Sequence, residues 1–294
     1  MSSLLFLIGS IILTSWLTLS FKLVERVGIS SLQAIVFNYI VCVITGSIVN
    51  GHFPIEKQLI REPWLPWALV MGCCFISLFN LAAFVVQKVG VSVATVAYKL
   101  SLVIPFVFSL YLYNEKATVL KITGVALALV AVWFTTRPPK QDAQHKHVNW
   151  LLWLMPLLLF VGSGLLDTMI KFVEQAYINE YNQDSYLITA FFVAATVGVI
   201  ILLIVFLTGR QRFEPKAILA GIGIGVPNYF SIWCLLGALK GYANNSSAII
   251  PINNMGIVLF SAVVAWFMFK EKLSGINRLG IVLSLCAIAL IAFG

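Results

Sequence analysis

The chain has 294 residues, 61% of them hydrophobic and 10% charged, with a mean hydropathy of +0.99. Soluble domains are about half apolar and a quarter charged, so a soluble globular protein is excluded. The formal charge of +8 does not indicate nucleic acid binding, because the 19 Lys and Arg fall singly between apolar blocks and read as loop charge that orients a membrane protein.

A bilayer-spanning helix needs about 20 apolar residues, since each adds about 1.5 Å across a hydrocarbon core about 30 Å thick. Apolar runs broken by charge or turn residues predict ten such helices, at 3–24, 31–50, 66–87, 91–113, 118–136, 150–172, 185–207, 216–238, 246–269 and 275–293. The runs are continuously apolar and lack the alternation of a membrane barrel strand. The N-terminal run has no basic region before it, so it reads as a retained span rather than a secretory signal. Cys42, Cys73, Cys74, Cys234 and Cys286 lie inside apolar runs with neither metal-ligand spacing nor a dithiol motif. They are expected to be small packing residues, and neither a metal nor a cofactor is expected.

The polar stretch RPPKQDAQHKHVN at 137–149 divides the chain into a first half, 1–136, and a second, 150–294. FKLVER at 21–26 and IKFVEQ at 170–175 align at an offset of 149, pairing Lys22 with Lys171, Val24 with Val173 and Glu25 with Glu174. Further along the offset is 156, pairing Glu115 with Glu271, Lys116 with Lys272, Gly124 with Gly280, Leu127 with Leu283, Leu129 with Leu285 and Ala131 with Ala287. The difference places an insertion of seven residues in the second half, near INEYNQD after the sixth span. Each half therefore carries five spans, and an odd number makes the second copy enter the membrane upside down. The predicted fold is all-α, ten transmembrane helices as two inverted five-helix repeats. Inverted repeats are characteristic of transporters, because two related halves of opposite sense can exchange conformations and open a central site to each side in turn.

Five plus five spans, the Glu-Lys pairs in YLYNEKATVLKITG and WFMFKEKLSGINRLG, and the glycine that follows each resemble the drug/metabolite transporter superfamily, in particular its EamA-type members. The resemblance covers nearly the whole chain. It implies a ten-helix fold with a central cavity and alternating access, serving amino acids, sugars, nucleotides or other small organic metabolites. It does not select one substrate. The partners expected are a small-molecule substrate and the lipid bilayer of a cell membrane, the inner one in a Gram-negative cell, with the protein a monomer or a homodimer and no nucleic acid bound.

Among the ionisable residues, Lys99 lies near the middle of a predicted span, about 13 Å of helix from the nearer end. A central Lys costs about 2.5 to 3.5 kcal/mol to insert, so it is expected to face a protein-lined or wet cavity. Ser92, Thr95 and Lys99 share one helical face, which would line that cavity. Lys99 would then be the counter-charge for a carboxylate or phosphate on the substrate, or else the partner of an internal ion pair. Asp167 in the sixth span is the candidate acid, placed about five residues from its helix end, with Lys171 at i+4 as an equally good local partner. It is also the candidate proton carrier for a coupled mechanism.

Span nine carries Pro251, Asn253 and Asn254, and the repeat register pairs Asn254 with Tyr98 beside Lys99. Polar groups of spans four and nine would meet at the repeat interface, as a site or as hydrogen-bonding glue between helices. In span eight, GIGIGVPNYF at 221–230 holds glycines suited to close helix packing, and Pro227 frees a backbone carbonyl for a polar substrate. Asn228, Tyr229 and Trp233, with Trp16, Asn38 and Asn80 from the first half, are further cavity candidates. Glu115 and Glu271 are expected to anchor helix ends.

An enzyme is not expected: Asp167 is the one acid well inside a span, and His52, His145 and His147 all fall in loops. A channel would need a filter loop or selectivity ring that short loops do not supply, and a receptor or scaffold would move no solute. Within transport, the alternative to a general polar or anionic metabolite is export of amino acids, with Lys99 holding the carboxylate. Loop charge favours both termini outside, whereas the family resemblance favours both inside. Either way they share a side, because ten is even.

Overall fold

The computed structural model describes residues 3–51, 53, 57–88, 101, 104–105, 108, 118–135, 150–179, 181–242, 246–269 and 275–293. Among these the regular structure is helical throughout: α1 (Ser3–Val27), α2 (Ser31–Asn50), α3 (Leu65–Lys88), α4 (Val119–Thr135), α5 (Trp150–Tyr177), α6 (Gln183–Leu207), α7 (Lys216–Gly241), α8 (Ser246–Phe269) and α9 (Gly275–Phe293), with a single 3-10 turn at Lys57–Arg61. The expected fourth span, 91–113, falls almost wholly outside the described residues. Among the described residues five helical segments are long and apolar enough to cross a membrane, Ser3–Val27, Ser31–Asn50, Leu65–Val85, Gln183–Leu207 and Lys216–Gly241, and Val119–Ala131, Ile252–Ser261 and Arg278–Ala287 are shorter apolar stretches. The sixth expected span, placed at 150–172, runs on to Tyr177. It does so because Phe172 and Tyr177 pack their rings on Trp67, at centroid distances of 5.1 and 6.5 Å, and Val173 is fully buried.

The chain forms two compact units, and neither is a half of the sequence. The first comprises 1–80 and 172–241, the second 81–171 and 242–294. In the first unit α7 lies along both α1 and α2, and α2 along α6. The turn between α1 and α2 is hydrogen-bonded to the connection between α6 and α7. Gln33 Nε2 donates to the Arg212 carbonyl at 2.8 Å, its Oε1 accepts from the Glu214 N–H at 2.9 Å, and Glu214 in turn accepts from the Ser30 N–H at 2.9 Å. Gly28 and Gly209, both at positive φ, close α1 and α6 just before these connections, the left-handed termination that glycine adopts without penalty. At the other end Trp64 packs edge-on against Tyr186 at 5.8 Å, and Ser3 meets Gly241. The segment 21–26 and the part of its match that lies in this unit, 172–175, therefore sit at opposite ends of it.

The helices approach where a side chain is missing. A Cβ added at Gly225 of α7 would lie 2.6 Å from the Asn38 carbonyl oxygen and 2.7 Å from Val41 Cβ. One added at Gly72 of α3 would lie 2.5 Å from the Ala190 carbonyl oxygen and 2.6 Å from Val193 Cβ. These are the same contact made twice: Asn38 and Ala190, and Val41 and Val193, are each 152 residues apart, and Gly72 and Gly225 are 153 apart. A second pair behaves alike. Gly46 faces Ile188 and Tyr229, Gly198 faces Val36 and Ile76, and the same two offsets exchange the sets. Tyr39 and Phe191, also 152 apart, touch each other at 6.0 Å. The offset thus grows from 149 through 152 and 153 to 156, so the seven extra residues are spread over several connections rather than inserted once near INEYNQD.

In the second unit α4 packs on α9 and both meet α8, around Val125, Ala128, Met255, Val258 and Ala287. The register that aligns Gly124 with Gly280 and Ala131 with Ala287 aligns buried positions with buried ones. The last turns of α3 join α5 through Val85 and Leu159, and Gly164 of α5 admits Ile104 and the Ser101 carbonyl.

Gly225→Ala and Gly72→Ala are each expected to destabilise the detergent-solubilised protein by about 1–3 kcal/mol, the cost of forcing a methyl group into packed space. Gly223→Ala meets nothing within 4 Å and should leave the thermal midpoint unchanged. Equal midpoints for all three variants would refute the close approach.

Candidate functional site

Of the residues expected to form a site, Lys99, Thr95 and Tyr98 lie outside the described residues. Asp167 and Asn254 are brought together: in the second unit Asn254 Nδ2 of α8 donates to Asp167 Oδ2 of α5 at 3.3 Å. Asn254 is 5% exposed, as is its neighbour Asn253, whose Oδ1 finds no hydrogen-bond partner among the described residues. Because α5 continues to Tyr177, Asp167 stands ten residues inside the helix rather than five, about 15 Å from its end.

The longer helix also changes its neighbours. Lys171 is 1% exposed and Glu174 is 6% exposed, and each is engaged by other groups. Asp167, Lys171 and Glu174 follow at i, i+4 and i+7, one face of α5. Charged side chains buried within an apolar helix are expensive and mark functional or paired positions. Ending the helix at 172 hid this stripe. The spacing was present in the sequence, where Lys171 served only as a local partner and Glu174 only as a repeat marker.

The remaining candidates fall in the first unit, along the contact of α2 with α7. Asn228 Nδ2 donates to Asn38 Oδ1 at 3.1 Å, and Cys42 Sγ donates to the Gly225 carbonyl at 3.2 Å. The Tyr229 hydroxyl reaches Asp184 Oδ1 at 3.4 Å. Asn38, Asn228 and Tyr229 are all buried, so here their polar atoms bond between helices. Asn80 is satisfied within its own helix, its Nδ2 donating to the Ile76 carbonyl at 2.7 Å. Trp233 stacks edge-on with Phe6 and Phe230.

Pro227 does free a carbonyl, and a tryptophan of another helix bonds to it. Proline has no N–H, so the carbonyl four residues earlier loses its helical partner. That carbonyl belongs to Gly223, and Trp16 Nε1 of α1 donates to it at 2.9 Å. Trp16, expected as a cavity residue, is a clasp between α1 and α7. Outward-facing grooves of about 510 and 340 Å³ along α2 and between α2 and α6 have apolar linings that include Val43 and Ile44. They contain none of the candidate residues.

These features define a membrane-embedded, multi-pass helical protein. The model of the EamA-like transporter family matches residues 1–137 and 150–293, and the chain belongs to that family, making it a membrane transporter of the drug/metabolite superfamily. An uncharacterized protein of Haemophilus influenzae is 24% identical over 291 residues, covering 96% of this chain and 95% of that one. A protein of known crystal structure superposes with a TM-score of 0.75 at 14% identity, over 99% of this chain and 96% of the other. At that identity the similarity is one of fold.

Trp16→Phe should cost about 1–3 kcal/mol, because it strands the Gly223 carbonyl where lipid offers no donor. In a Pro227→Ala background the restored N–H re-forms the helical bond, and the same substitution should cost far less. A double-mutant cycle of unfolding midpoints in detergent checks this, and additive losses would exclude the clasp.

Proposed function

We propose that the chain is a secondary transporter of a small polar or anionic organic metabolite in a cell membrane, working by alternating access. Two inverted five-helix repeats, 1–136 and 150–294, would be joined by the polar linker at 137–149. The observation that carries this reading is the reciprocal packing at Gly46 and Gly198 and at Gly72 and Gly225. Contacts that exchange under a fixed residue offset are what a two-fold axis between homologous halves produces. The placement of 21–26 and 172–175 at opposite ends of the first unit supports an axis of inversion.

The solute would be held by Lys99 and by the Asp167–Asn254 pair, with Thr95, Tyr98 and Asn253 around them. If the carboxylate of Asp167 and the ammonium of Lys99 both serve the solute, one carrying both charges would suit them, which keeps amino acid export as the second reading. Asn38, Asn228, Tyr229 and Trp16 are assigned to the helix contacts through which the protein moves, and Asn80 to its own helix.

The test is uptake into proteoliposomes of labelled amino acids, organic acids, sugar phosphates and nucleosides, in wild type, Lys99→Ala, Asp167→Asn and Asn254→Leu. Saturable uptake of one class is expected, falling about 10-fold to 100-fold in each variant, the effect of losing a bond to a charged group worth about 1.5–3 kcal/mol. Unitary current steps would replace the transporter with a channel. Uptake unaffected by all three substitutions would place the site elsewhere.

A further inference from the structure

The internal symmetry of the first unit allows a comparison within the same molecule. The contact of α2 with α7 and the contact of α3 with α6 have matching backbone geometry, down to the approach of each glycine to a carbonyl oxygen and a valine. Their side chains differ in kind. Asn38 corresponds to Ala190, Cys42 to Ala194, Asn228 to Phe75 and Tyr229 to Ile76. All eight are buried, none more than 2% exposed. One seam is therefore polar and hydrogen-bonded, and its image is wholly apolar at these positions.

Packing cannot be the reason for the polar set, since alanine, phenylalanine and isoleucine fill the related seam equally well. Nor does the bilayer favour it, because buried polar groups in an apolar surround are costly unless every one is paired. Paired with one another, these groups gain only a modest interhelical hydrogen bond, but they also lower the cost of letting water into the seam. On opening, Asn38, Asn228, the Gly225 carbonyl and Tyr229 would exchange their mutual hydrogen bonds for bonds to water or solute, whereas opening the other seam, where the Tyr186 hydroxyl donates to Met71 Sδ, would wet Phe75, Ile76, Ala190 and Ala194 with fewer polar groups to offset the cost. The chain of polar atoms also leads somewhere: Tyr229 reaches Asp184 in the first turn of α6, at the end of the unit where Trp64 and Tyr186 meet.

We propose that the first unit opens more readily at the seam between α2 and α7, forming a hydrated path toward Asp184, than at the corresponding seam between α3 and α6. This rests on the transport reading only in giving the opening its purpose. It names the moving contact, and it requires no transported solute to be known.

Cys42 supplies a probe, because its thiol lies inside the polar seam and maleimide reacts with a thiolate that water can reach. The measurement is the rate of N-ethylmaleimide labelling in proteoliposomes, followed by mass spectrometry, with Cys73, Cys74, Cys234 and Cys286 replaced by alanine. The comparison protein has in addition Cys42→Ala and Ala194→Cys, which moves the thiol to the corresponding place in the apolar seam. Labelling of Cys42 is expected to be faster by about tenfold or more, the factor equivalent to about 1.4 kcal/mol in opening. Equal rates would overturn the proposal in favour of two seams that open alike, and absence of labelling at both would make the amides fixed helix contacts. A second protein, Asn38→Ala with Asn228→Phe, copies the apolar seam around Cys42. If it keeps a cooperative thermal transition, its Cys42 should label at the slow rate, and labelling at the original rate in the folded protein would equally overturn the proposal. Failure of the uptake screen leaves these rates untouched, so the two readings fail separately.

Discussion

The first unit depends on close helix approach at four glycines, two against a facing backbone and two against facing side chains. Within lipid, apolar surface gains nothing by leaving one hydrocarbon surround for another, so helices associate through close van der Waals fit and hydrogen bonds. Gly72 and Gly225 let α3 and α7 lie against the backbone of α6 and α2, and Gly46 and Gly198 hold α2 and α6 to each other's aliphatic side chains. Once these distances are set, Asn228 reaches Asn38, Cys42 reaches the Gly225 carbonyl, and Trp16 reaches the carbonyl that Pro227 leaves open. The polar contacts follow from the fit of the glycines.

The same constraint explains why the compact units cross the sequence halves. Helices of one half of the sequence find complementary faces in the other. Thus α2 of the first half packs on α6 and α7 of the second, and α4 on α9. Glycines 72 and 225 serve as one device used twice, while the side chains beside them differ, polar in one contact and apolar in the other. Equal geometry with unequal chemistry is what turns a symmetric scaffold into one with a preferred direction of opening.

Much of this was legible in the sequence. Apolar runs gave the helices α2, α8 and α9 within a residue or so of their ends, and Gly221 and Gly225 announced close packing. What was not legible depended on partners distant in sequence. The end of α5 moved from 172 to 177 because Trp67, far away in sequence, offers a face to Phe172 and Tyr177. That shift buried Lys171 and Glu174 and deepened Asp167. The freed Gly223 carbonyl could be deduced from Pro227 alone, but its taker, Trp16, lies 207 residues away. Asp167 and Asn254 were both candidates, yet their pairing needed the fold, since a helical wheel orders residues on one helix and says nothing of which helix faces it.

The central claim is that the two halves are inverted copies, and the most direct measurement is the sidedness of corresponding helix ends. In protein with its five cysteines replaced, single cysteines are introduced by Val27→Cys after the segment 21–26 and by Asn179→Cys after the segment 170–175. Both positions are exposed, and a membrane-impermeant maleimide applied to sealed, uniformly oriented vesicles reads their side. The account predicts that one is labelled from outside and the other only after the membrane is opened. Labelling of both from the same side would contradict it.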